Sequence, residues 1–172
     1  MALRDVLLAE FDHEMATTRR LLACVPESLL PWKPHERART TGALAAHIAE
    51  VAAWTLHIFE TPAFEVDTAP QPAEAATSIP ALLQRFSEEM RQTRVCLDTD
   101  DAELHAMWSL RQGGQELFSL PRAAAFRTLV LGHVVHHRGQ LSVYLRMNDV
   151  PVPSIYGPSA DFERPADNRR KP

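Results

Sequence analysis

The sequence predicts an all-α fold: a four-helix bundle with a long crossover between its second and third helices. Three observations carry that prediction. Apolar residues recur at helical spacing in four separate stretches. Prolines fall at the ends of those stretches or between them. The 172-residue chain, 45% hydrophobic, is long enough to bury one core without disulfide help. We therefore expect a single domain over residues 1–166, ending in an extended C-terminal segment, with residues 167–172 as a frayed tail.

The first predicted helix has the stripe Leu3, Leu7, Phe11, Thr18, Leu22 and Val25 and is ended by Pro26 and Pro31. After a link containing Trp32-Lys-Pro, Thr40 is placed to cap the second, whose stripe is Leu44, His47, Ile48, Val51, Trp54 and Ile58 and which stops before Pro62. Residues 61–78, with Pro62, Pro70 and Pro72, read as an irregular crossover. Ser78, with Pro80 in the first turn, starts the third helix, striped by Ile79, Leu82, Leu83, Phe86, Met90, Thr93 and Leu97. Asp98-Thr-Asp-Asp ends it as a turn. Two apolar stretches flanking Gly113-Gly114 signal a short hairpin. Pro121 suits the first turn of the fourth helix, which runs to about Met147 with Phe126, Val130, His133, His137 and Tyr144 on one stripe. The proline-rich remainder is expected to lie extended along the bundle.

Composition excludes several functions. With 22 acidic and 18 basic residues the net charge is −4, and four of the basic residues, Arg164, Arg169, Arg170 and Lys171, lie in or just before the tail, so no nucleic-acid surface is expected. No apolar run approaches the ~18 residues of a membrane span, and Met1-Ala-Leu-Arg-Asp enters alternating charge, so we expect no membrane partner and a cytoplasmic location. Cys24 and Cys96, lacking any Cys-x-x-Cys spacing, read as buried thiols. Trp32, Trp54 and Trp108 read as packing residues, with Trp54 also expected to line a pocket near His47.

The informative polar residues are histidines. His133 and His137, at i and i+4, lie one above the other on a helix and can offer two nitrogens to one ion. His47 interrupts the second helix's apolar stripe and is the natural third ligand. His136 competes with His137, because the two flank His133 by about −60° and +40° at ~100° per residue. A dinuclear carboxylate site is excluded, since residues 121–148 contain no Asp or Glu. Three neutral nitrogen donors leave a coordination position open for a water or a substrate atom. Glu50 and Tyr144 are the nearby candidates for moving or orienting a proton. On the helical wheel Arg138 and Gln140 turn away from the histidine face.

Gly132-His-Val-Val-His-His-Arg-Gly-Gln-Leu141 resembles the final-helix signature of the DinB superfamily. Thr41-Gly-Ala-Leu-Ala-Ala-His-Ile-Ala-Glu50 resembles its second-helix metal motif, Val25-Pro with Trp32-Lys-Pro its first linker, and Val150-Pro-Val-Pro-Ser-Ile-Tyr-Gly-Pro-Ser-Ala160 the tail of some members. The resemblance covers most of the chain. It implies a metal triad of His47, His133 and His137, leaving His136 beside the ligands. One departure is Gly132, where members often carry Asn. The resemblance further implies a homodimer, a divalent ion that is commonly nickel or zinc, and a small-molecule substrate. Its implied chemistry is metal-dependent hydrolysis or transfer to a low-molecular-weight thiol cosubstrate. The alternative is a non-catalytic metal-binding bundle with a structural or stress-response role.

Overall fold

The computed structural model describes residues 2–66 and 75–161. Helix α1 is Leu3–Leu22, buried along Leu7, Phe11, Met15, Thr18 and Leu22. Helix α2, Thr41–Glu50, begins where the Thr40 side chain accepts from Ala43 N at 3.1 Å, a cap worth about 1 kcal/mol. It continues through a 3₁₀ turn, Val51–Ala53, into α3, Trp54–Glu60. Ser78 caps α4, Ile79–Leu97, through Ala81 N at 3.3 Å. Both α1 and α2 pack against α4 and against α7, Gly132–Arg146, so the four share one core. Of the expected crossover, residues 67–74 lie outside the described residues, as does the whole of the expected tail, residues 167–172.

The all-α expectation needs correction, because the chain also builds a small mixed sheet. Strand β1, Ala63–Glu65, runs parallel to β2, Met107–Gln112, which pairs antiparallel with β3, Gln115–Pro121. Gly113 and Gly114 both take positive φ, 58° and 77°, as a tight hairpin turn demands. The sequence signals that hairpin, but β1 is only three residues long and has no alternating pattern to announce it. Trp108 is fully buried and donates its indole N–H to the His57 carbonyl at 2.9 Å, which seats the hairpin against the end of α3. The Asp98 turn also leads into a short helix not foreseen, α5, Asp101–His105, which Asp100 caps.

Pro121 immediately precedes α6, Arg122–Phe126, and the helix then widens into a π turn, Arg127–Leu131, before α7. The Gly132 N–H bonds to the Arg127 carbonyl five residues back. A Cβ on Gly132 would meet that oxygen at 3.2 Å, a tight contact that glycine avoids. Such wide turns often sit at functional sites, and this one ends two residues before His133.

Two further expectations are corrected. The segment Thr41–Glu60 does have the length and apolar composition of a membrane span, although more than half of it is buried against the rest of the protein. Cys24 and Cys96 are free and only half-buried. Burial nonetheless raises both thiols above their ordinary range, disfavouring the reactive thiolate.

Candidate metal centre

The site lies where α2 meets α7. His47 sits half-buried between the buried Ala46 and Ile48, and His133, two residues after the π turn, lies on the face of α7 that looks at it. His137 follows one turn later. The three Nε2 atoms converge: His47 to His133 is 3.2 Å and His133 to His137 is 2.8 Å. The ligating atoms all fall within 4.8 Å of one another, and no carboxylate belongs to this group among the described residues.

This donor set fits a divalent ion better than it fits hydrogen bonding alone. Nitrogens about 2.0–2.1 Å from a tetrahedral ion lie about 3.3 Å apart, close to the His47–His133 separation. An imidazole nitrogen carries either one proton or one lone pair, so His133 Nε2 cannot satisfy two facing nitrogens. His137 tightens the argument. Its Nδ1 donates to Gln140 Oε1 at 2.8 Å, so in the neutral ring Nε2 presents a bare lone pair to the cluster.

Electrostatics keep the ligands in their binding form. Burial, followed by the charges of His137, Arg39 and His133, pushes His47 down to about 4. Burial also lowers His133, opposed by its hydrogen bond to the Leu129 backbone, and lowers His137, opposed by the bond to Gln140. All three rings therefore favour the neutral state, which metal binding requires.

The other sequence candidates are placed differently. Glu50 is engaged by Arg85 at 2.8 Å, on the side facing α4. The Tyr144 hydroxyl donates to the Arg39 carbonyl at 3.4 Å, its ring meets Trp32 edge-on at 5.5 Å, and burial raises its pKa. Trp54 packs edge-on against Phe64 and against His57, a histidine outside the cluster. His136 lies beside His137, ring centroids 4.8 Å apart, and its Nε2 accepts from the Gln140 amide at 3.1 Å.

Two residues escaped sequence reasoning. Gln140, expected to face away, touches both His136 and His137; the i+3 and i+4 spacing could have revealed it. Arg39 lies in the irregular link before α2, where no periodicity points at the site, yet its charge acts on all three histidines. Arg138 does turn away: it is buried and pairs with Glu14 at 2.6 Å.

Comparisons with known proteins bear on the fold and the family. A DinB-like protein from Bacillus cereus ATCC 10987 superposes with a TM-score of 0.70 at 20% identity, covering 87% of this chain and 95% of its own. A DinB-like protein from Bacillus subtilis gives 0.64 at 19% identity, covering 88% and 99%. At these identities the likeness concerns the fold alone. No curated protein matches the sequence. The sequence itself matches the DinB family over residues 1–169, and with the fold shared and the three histidines assembled, the chain belongs to the DinB family.

Proposed function

We propose that this protein is a metal-dependent enzyme that holds one divalent ion, nickel or zinc, on His47, His133 and His137. It acts on a small-molecule substrate, as a hydrolase or as a transferase to a low-molecular-weight thiol. The observation that carries this reading is the convergence of three neutral Nε2 donors with no carboxylate among them. When bound, such an ion supplies Lewis acidity, making a nucleophile of water or a thiol near neutral pH. We read the surrounding scaffold as a four-helix bundle joined by a crossover, and the working form as a cytoplasmic homodimer.

The chain's own residues have separable roles in this proposal. His47 comes from α2 and the other two ligands from α7, so the pocket is held by two elements that also share the core. Burial keeps the imidazoles neutral and ready to bind. Tyr144 is the preferred candidate for orienting a substrate or carrying a proton, because its hydroxyl bonds the backbone of Arg39, the residue whose charge reaches the site. Glu50 would first have to leave Arg85.

The test is elemental analysis of untagged protein beside His133→Ala, followed by hydrolase and thiol-transfer assays of the loaded protein. We expect about one ion per chain in the wild type and its loss in the variant. Protein that stays metal-free after nickel and zinc are supplied overturns the proposal. A fourth protein ligand closing the site would favour the non-catalytic alternative instead.

A further inference from the structure

We propose that Gln140 is a positioning residue that holds His137 in the tautomer able to bind a metal through Nε2, with His136 taking the other end of the Gln140 amide. The inference rests on the metal-binding reading of the site. A primary amide has two unlike ends, an oxygen that only accepts and an NH₂ that only donates. Gln140 Oε1 lies 2.8 Å from His137 Nδ1, and its Nε2 lies 3.1 Å from His136 Nε2. The His136 lone pair takes an amide N–H, which leaves the amide oxygen for His137.

The consequence reaches the site through one proton. With its Nδ1–H donated to Gln140, neutral His137 has no proton on Nε2, the atom 2.8 Å from His133 Nε2. A reversed amide would set N–H against His137 Nδ1 and drive the ring proton onto Nε2, where it would block the ligand atom. The helix makes the arrangement possible: position 140 is three residues from 137 and four from 136, so one side chain reaches both. Gln140 is itself exposed and contributes no core packing, so its replacement should leave the fold intact.

The experiment measures zinc affinity by competition with a chromophoric chelator for wild type, Gln140→Leu, Gln140→Glu and His136→Phe. Imidazole ¹⁵N NMR on the zinc-free wild type and Gln140→Leu proteins then identifies the His137 tautomer. Gln140→Leu should weaken zinc binding about 10–100-fold and erase the preference for Nδ1–H. Gln140→Glu, which keeps an acceptor, should stay close to wild type, and His136→Phe should show a smaller loss than Gln140→Leu. Undiminished zinc affinity in Gln140→Leu, or a proton on His137 Nε2 in zinc-free wild type, overturns the inference without touching the metal reading. Wild type that binds no zinc removes the metal reading and, with it, the ligand role assigned here; the tautomer measurement then still decides whether Gln140 orients His137.

Discussion

His47 is the most perturbed of the three site histidines, and its shift becomes a statement about stability. In the unfolded chain it titrates at its ordinary 6.5, and in the folded protein at about 4. Between those values the unfolded state binds more protons, so metal-free protein should lose stability as pH falls from 6.5 toward 4, while above 6.5 the full stability remains. His47→Gln removes this contribution. Urea unfolding across that range should show a steeper acid-side loss for wild type than for the variant, and parallel curves would contradict the assigned burial. At this scale the sequence was readable where spacing carries information. His133 and His137 stand out by the i, i+4 rule and His47 as a polar break in an apolar stripe, whereas the choice between His136 and His137 needed the family resemblance. Arg39 was not readable, because its approach to the site is made by an irregular link with no period.

Among the elements, the start of α2 shows how closely the scaffold is knit around His47. Gly42 N–H donates to the Leu30 carbonyl at 2.9 Å, and its own carbonyl accepts from Ala76 N at 3.2 Å. A Cβ there would meet both the Leu30 and Ala76 carbonyl oxygens at 3.1 Å. Since backbone atoms on two sides must give way, Gly42→Ala should cost about 1–3 kcal/mol. The cost is measurable as a lower urea midpoint with an unchanged slope. Helix starts were legible because caps are local chemistry, and Thr40 and Ser78 act as read. The π turn was not, since a single widened turn leaves the apolar stripe nearly continuous. Strand β1 was missed for a related reason: three residues are too few to display a period of two, and its pairing to β2 is a long-range event.

At the scale of the whole molecule, the buried Arg138 ties together parts of the chain far apart in sequence. It pairs with Glu14 on α1 at 2.6 Å, bonds the Thr18 hydroxyl at 3.2 Å, and reaches the Tyr156 hydroxyl at 2.6 Å in the C-terminal segment. Arg138→Met leaves Glu14 without its cation in a largely buried position, and should cost about 3–5 kcal/mol. Adding Glu14→Gln should recover part of that loss, which denaturant unfolding of the double variant would reveal; no recovery would mean that the pair is not the source. Helical dominance was legible from periodicity, but the sheet joining residues 63–65 to 107–121 was legible only in its hairpin half. The same separation in sequence governs how the centre comes into being. His47 and His133 meet across 86 positions, so a chain emerging from the ribosome exposes the first histidine long before the other two have been made. The centre is therefore complete only once α7, Gly132–Arg146, has been made and docked, and nascent chains truncated before it carry one of the three ligands.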